Sequence, residues 1–280
     1  MCTRPSDCAT LITMRDRQPG RVSVEESVVF ATGGDRDLHC DVFLPPEPGV
    51  GRTAILLVHG GGWISGDRTQ LRGYGILLAR LGFVCIASEY RLSGEAIWPA
   101  QIHDVKAALR WVRANAGQYG IDPDKITVSG NSAGAHLALM LAGLADGQLE
   151  GEGGNAGVST RVAACVAIYP PTELRVTHPT DAVGLLLGGR VATEVEVEAS
   201  PLTYATAGFP PTMLVHGNAD DVVPVEASFA MYHRLIATGA AVELHVYDGV
   251  AHAFDAERDF GHQVADLIAL FIDRKVTHAG

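Results

Sequence analysis

The stretch from Lys125 to Leu139 constrains this chain more than any other. A β-branched run, Ile126 to Val128, reads as a buried strand. An apolar helical pattern opens at Ala135 and continues through Leu137, Met140, Leu141 and Leu144. Strand must become helix in a very sharp bend. Gly130 and Gly134 flank Ser132 symmetrically and remove the Cβ atoms that would collide as the two elements close on each other. The residue at the apex is forced into a strained conformation and exposed at the C-terminal end of the strand. That residue is Ser132. A helix N-terminus behind it favours developing negative charge. The pattern Gly130-x-Ser132-x-Gly134 therefore reads as a turn that presents a serine nucleophile.

Around this turn the chain alternates between strand and helix. Ser23–Phe30 and Leu38–Leu44 read as an antiparallel hairpin at a sheet edge, closed by Pro45-Pro46-Glu47-Pro48-Gly49. Thr53–Val58 is a continuous apolar strand of the kind buried on both faces of a parallel sheet, and His59-Gly60-Gly61-Gly62-Trp63 follows it directly. Helix over Leu71–Leu81, strand over Phe83–Ser88 and a long helix over Pro99–Ala116 come next. Beyond the serine turn lie a Gly-rich loop (147–160) and the strand Arg161–Tyr169. Residues 172–208 break the alternation and read as an insertion with short helical pieces, among them Asp181–Leu187. The strands Thr212–Val215 and Val242–Tyr247 and the helices Val225–Thr238 and Arg258–Arg274 complete the chain. This order implies an α/β protein whose mostly parallel central sheet is flanked by helices on both faces. Ligands in such sheets bind beyond the strand C-termini.

Composition narrows the function. With 280 residues, 47% hydrophobic and 19% charged, the chain can bury a large core. A net charge of −11 argues against nucleic acid and against anionic membrane surfaces as partners. Cys2, Cys8, Cys40, Cys85 and Cys165 are odd in number and form no CxxC pair, so neither a disulfide framework nor a zinc site is expected, and a reducing cytoplasm fits. Residues 1–20 are polar, carry no apolar signal-peptide core and read as an N-terminal arm. No apolar run is long enough for a membrane helix.

A serine hydroxyl needs an adjacent base, and that base needs an orienting acid. The strand at Thr212–Val215 delivers His216-Gly217-Asn218-Ala219-Asp220-Asp221, and the strand at Val242–Tyr247 delivers Asp248-Gly249-Val250-Ala251-His252-Ala253-Phe254. The order Ser132, Asp220, His252 suits this turn. Asp220 is preferred over Asp221 because it lies nearer the strand end. His252 is preferred over His216, His245 and His262 because it sits in a Gly-containing loop after a strand. Acyl transfer also needs donors aimed at an oxyanion. The backbone amides of Ala133, Gly61 and Gly62 are the candidates, with His59 bracing the glycine loop. Trp63, Trp98, Phe209 and Phe254 are pocket candidates, as is the insertion. The histidines show no metal-binding spacing beside a carboxylate cluster, so no metal is expected.

His59-Gly60-Gly61-Gly62-Trp63, Gly130-Asn131-Ser132-Ala133-Gly134, His216-Gly217-x-x-Asp220 and Gly249-x-x-His252-x-Phe254 resemble the α/β-hydrolase esterases of the hormone-sensitive-lipase-like group. Tyr90-Arg91-Leu92, Trp98-Pro99-Ala100-Gln101, Asp104, Trp111 and Gly120-Ile121-Asp122-Pro123 are closer still to the BD-FAE-type esterases. The resemblance covers roughly residues 38–272. It implies an α/β-hydrolase fold with an eight-stranded sheet, no cofactor, and small carboxylic esters as substrates. Asn131 departs from the Gly-Asp-Ser-Ala-Gly common in the first group. The resulting expectation is a single hydrolase domain over 21–280. The 172–208 insertion, helped by the 1–20 arm, would roof Ser132 with Leu185, Leu186 and Leu187 on its underside, favouring short acyl chains. Arylformamidase and feruloyl or acetyl-carbohydrate esterase activities share the same triad. A non-catalytic binding protein of this fold is the alternative of another class, and homo-oligomerisation is left open.

Overall fold

Eight strands account for the apolar and alternating runs: β1 (Ser23–Gly33), β2 (Arg36–Leu44), β3 (Arg52–Val58), β4 (Val84–Ser88), β5 (Ile121–Asn131), β6 (Ala164–Ile168), β7 (Thr212–Gly217) and β8 (Val242–Tyr247). They form one sheet in the order β1-β2-β4-β3-β5-β6-β7-β8. Our computed structural model describes residues 15–175 and 181–277. The hairpin β1–β2 lies at one edge, as its alternation implies, and turns at Gly34, whose φ of 62° is open to glycine. β2 runs antiparallel to β4, and every pairing from β4 to β8 is parallel.

The helices are α1 (Arg72–Arg80), α2 (Ala100–Ala114), α3 (Ala133–Gly143), α4 (Asp181–Leu186), α5 (Glu194–Glu198), α6 (Glu226–Ala237) and α7 (Arg258–Ile272). Alternate strand residues face opposite layers. Ile55 and Leu57, Cys85 and Ala87, and Val166 and Ile168 pack with α1 and α7. Leu56 and Val58, Ile86 and Ala167 pack with α2, α3 and α6. This period of two is what lets an all-apolar run serve two cores. β3 has β4 on one side and β5 on the other, so the chain reverses its direction of travel across the sheet there. The loops after β3 and β5 consequently diverge around a crevice at the strand C-termini.

The insertion sits on the α2/α3 side. Trp98 N–H donates to the Leu186 carbonyl at 2.7 Å, Trp98 Nε1 to Glu198 Oε1 at 2.9 Å, and His136 Nε2 lies 2.7 Å from the Ala199 carbonyl oxygen. Leu186 and Leu187 are fully buried there, each contributing about 1.5–3 kcal/mol. Leu185 is 53% exposed, which corrects its assignment to an apolar underside. Residues 15–20 also differ from the expected roof. Arg15 bonds Asp273 and the Leu81 carbonyl, and Gln18 N–H donates to the Arg80 carbonyl. Those partners mark the C-terminal ends of α1 and α7, at the end of the sheet away from Ser132. Residues 1–14, the rest of the arm, lie outside the described residues.

The helix α3 starts at Ala133, two residues earlier than the apolar pattern suggests, because the bend is tighter than the pattern can show. A Cβ on Gly134 would lie 2.0 Å from the Val58 carbonyl oxygen, and one on Gly130 would lie 2.4 Å from the Gly134 oxygen. On α1, by contrast, a Cβ on Gly73 meets nothing within 4 Å. Gly134→Ala is expected to cost about 3 kcal/mol because only backbone could move aside, whereas Gly73→Ala is expected to stabilise by about 0.5–1 kcal/mol. Urea unfolding of both variants checks this, and equal effects would contradict the packing argument.

Candidate active site

The sharp turn sets Ser132 in a conformation that L-residues rarely adopt, φ 51° and ψ −120°. It is held by Ser132 N–H donating to the Ile168 carbonyl at 2.9 Å and by His136 N–H donating to the Ser132 carbonyl at 3.0 Å. Strain of this kind persists only where the surroundings over-determine it. The neighbours β5, β6 and α3 do so here.

Two further strand ends bring their side chains to Ser132. His252 Nε2 lies 3.1 Å from Ser132 Oγ, and His252 Nδ1 lies 2.6 Å from Asp220 Oδ2. A carboxylate only accepts, so Nδ1 carries the proton and Nε2 presents its lone pair to the serine hydroxyl. Asp220 is itself braced. Its Oδ1 accepts from the amides of Val222 and Val223 at 2.9 and 2.8 Å, and His216 Nε2 stands 3.3 Å from its Oδ2. Burial pushes the Asp220 carboxyl up, but the bonds from His216, His252 and Val223 outweigh it and hold the group well below the usual carboxylate range. Asp221 is exposed, in the following turn.

The rival histidines are committed elsewhere or stand apart. His216 is fully buried, with Nε2 at 2.9 Å from the Val223 carbonyl oxygen and Nδ1 at 2.8 Å from Ser228 Oγ. His245 lies on the edge strand β8 beside Glu243. His262, on α7, lines the cavity described below.

The loop after β3 closes over the turn. Gly61 and Gly62 have φ of 110° and 60°, and a Cβ on Gly61 would lie 2.2 Å from the Ser65 carbonyl oxygen. Among the described residues their amides donate to no protein acceptor. The Ala133 amide, in the first turn of α3, has no intrahelical partner either. These are the donors that an oxyanion beside Ser132 would require. His59 braces the loop: it stacks on Tyr90 at 4.3 Å between ring centroids and its Nδ1 lies 2.7 Å from the Gly60 oxygen. Its Nε2 is buried without a partner among the described residues, and burial holds its pKa below the ordinary value.

A cavity of about 850 Å³ opens at Ser132 and runs between α1 and α7. Leu71, Gly73, Tyr74 and Leu77 form one wall, and Ala253, residues 255–258, Gly261 and His262 form the other. The four aromatic pocket candidates are corrected here. Trp63, Trp98, Phe209 and Phe254 are 3%, 1%, 5% and 5% exposed, and none lines this cavity. Trp63 and Trp98 pack edge-on against His136 under the insertion, and Phe209 belongs to the same core. Phe254 lies behind Tyr169. No described residue of the insertion lines the cavity either: its buried side chains join the α2/α3 core, and Ala182 comes against Gly62 at the edge of the site. Tyr74, Tyr169 and His262 escaped sequence reasoning. Only Tyr169 carried a signal, as the last residue before Pro170-Pro171 at a strand C-terminus. Among the described residues no group of three or more His, Cys, Asp or Glu could hold a metal ion. None of their helices is long and apolar enough to cross a membrane.

Known proteins share this arrangement of elements. Esterase LipQ of Mycobacterium tuberculosis is 32% identical over 266 residues, covering 89% of this chain and 63% of LipQ. The probable carboxylic ester hydrolase LipM of the same organism is 36% identical over 209 residues, covering 70% of this chain and 48% of LipM. The chain thus spans about half to two thirds of the length of these relatives. Among solved structures, a truncated carbohydrate esterase from gut microbiota superposes with a TM-score of 0.79 at 26% identity, covering 92% of this chain and 100% of the other. The esterase Est2 of Thermogutta terrifontis gives 0.77 at 28%, covering 94% and 96%. The family model described as BD-FAE matches residues 40–235, and the chain belongs to that family, on an α/β-hydrolase fold.

Proposed function

We propose that the protein is a serine carboxylesterase that hydrolyses short-chain carboxylic esters through an acyl-enzyme intermediate. The observation that carries this reading is the alignment of Ser132 Oγ, His252 and Asp220 through contacts of 3.1 and 2.6 Å at the mouth of a cavity. His252 Nε2 takes the hydroxyl proton as Ser132 Oγ attacks the ester carbonyl. Asp220 holds the ring in the required tautomer and stabilises the imidazolium. Negative charge on the carbonyl oxygen is met by the amides of Gly61, Gly62 and Ala133. His252 then returns the proton to the departing alcohol, leaving an ester on Ser132. Water, deprotonated by the same nitrogen, releases the carboxylic acid and restores the hydroxyl.

Two observations support the ester and its size. The relatives named above are esterases, and Est2 has been solved with propionate and with butyrate bound, at 29% and 28% identity to this chain. We accordingly place the optimum at acyl chains of roughly two to six carbons, a range that includes both carboxylates bound in Est2, each buried methylene contributing about 0.8 kcal/mol.

Three measurements test the reading. Ser132→Ala is expected to lower turnover by about four to six orders of magnitude and to abolish labelling by an organophosphonate. Labelling at another serine would overturn the assignment. Asp220→Asn is expected to lower kcat about 10⁴-fold, as loss of the correct tautomer does, while Asp221→Asn stays within roughly three-fold of the parent. The opposite ranking would move the acid to Asp221. For p-nitrophenyl esters of rising acyl length, kcat/KM is expected to fall steeply beyond about eight carbons. A rate still rising past that length would contradict the size limit.

A further inference from the structure

Four polar side chains in the cavity wall bond to one another and have no part in the acyl-transfer steps above. They are Tyr74 on α1, Asn131 at the end of β5, Tyr169 just after β6, and Asp255 three positions beyond His252. Asp255 is 8% exposed, and its carboxylate accepts from both phenols: Oδ2 from Tyr74 OH at 3.0 Å and Oδ1 from Tyr169 OH. Tyr169 OH in turn accepts from Asn131 Nδ2 at 3.1 Å. The bonds thus run from the residue next to Ser132 to the loop that carries His252.

A buried carboxylate between two phenols is a costly way to fill this space. An apolar cluster of the same volume would stabilise as much or more, because the charge must be desolvated. Burial pushes the Asp255 carboxyl up from its ordinary value, and the two phenol donors oppose that shift. Strain gathers here too: Tyr169 and Ala253 have φ of 42° and 59°, in the left-handed region that favours glycine. The Tyr169 backbone is pinned by its N–H donating to the Val215 carbonyl at 2.7 Å. Its ring, fully buried, lies against the His252 ring at 4.5 Å between centroids.

We propose that Asp255 and Tyr169 form a positioning unit for His252, in which the phenol, fixed at its hydroxyl by Asp255 and Asn131, backs the imidazole toward Ser132. The proposal rests on the reading of Ser132 and His252 as nucleophile and base. Asp220 fixes the rotation of the His252 ring through Nδ1 but leaves its face uncovered. The Tyr169 ring covers that face. The groups in contact with His252 are Asp220 from the loop after β7, Ser132 from the turn after β5 and Tyr169 from the end of β6.

Tyr169→Phe keeps the ring and removes its anchor, and Asp255→Asn replaces one of the two oxygens that accept from the phenols with an NH2 donor. Active sites are counted by organophosphonate labelling at Ser132, so any loss of folded protein is divided out. Tyr169→Phe is expected to lower kcat per labelled site about 10- to 100-fold, with KM within roughly two-fold, because a small displacement of the base acts on the chemical step. Asp255→Asn, which leaves one acceptor for two phenols, is expected to lower kcat per labelled site at least about three-fold, with KM again within roughly two-fold. Variants that lose thermal stability yet keep the parent's kcat per site would show a structural role only and overturn the proposal. Failure of the parent to be labelled at Ser132 would overturn the underlying reading instead.

Discussion

The N-terminus of α3 lies against the end of β3, so close that a single carbon on Gly134 would sit 2.0 Å from the Val58 carbonyl oxygen. That approach is what turns β5 into α3 with no intervening loop. It lifts Ser132 clear of the sheet and aims the free amides of the first helical turn at the same point. It also places the Gly60–Gly62 loop against the end of β5, where a Cβ on Gly60 would lie 2.9 Å from the Asn131 carbonyl oxygen. Two strand ends and one helix end therefore share a volume that admits backbone alone. Asp220 and His252 arrive in the loops after β7 and β8, which lie on the same side of β3 as β5 in the sheet order.

Around this backbone constraint several buried polar groups are linked in chains, one holding the next. His216 uses both ring nitrogens, one on Ser228 and one on the Val223 carbonyl, and stands beside Asp220. Asp220 accepts two amides and orients His252. On the other face of the sheet, His136 ties Trp63 to the Ala199 carbonyl and so fastens the insertion to α3, one turn after Ser132. Burial lowers the His136 pKa to about 4, and the bond to the Ala199 carbonyl opposes that shift. The ring is therefore neutral at pH 7 and accepts from Trp63. Unpaired, any of these groups would cost about 1–3 kcal/mol.

The parts of the molecule governed by local chemistry were legible in the sequence. Gly130, Gly134 and the Gly60–Gly62 run mark positions where a side chain cannot be accommodated, and the apolar runs of β3, β4 and β6 can only be strands covered on both faces. The contacts of Ser132, Asp220 and His252 follow because each residue sits at a strand C-terminus, and one edge of the sheet gathers them. The cavity was not legible. Its walls come from α1 and α7, whose proximity is a consequence of the sheet order, and Gly73 or His262 looks like any other helix position. The large aromatics misled for a related reason. Trp63 and Trp98 flank chemically marked segments, yet the alternation of β3 sends the loop's tryptophan to the α2/α3 core, opposite the cavity. The insertion went the same way, following Leu186 and Leu187 into that core.

The central claim is that this backbone arrangement makes Ser132 Oγ the atom that carries the acyl group. Acid quenching of the protein during turnover of a slowly deacylating ester, followed by peptide mapping by mass spectrometry, tests it directly. The account predicts the acyl mass on the peptide that contains Ser132, and on no other. An acyl group recovered from any other peptide would contradict it.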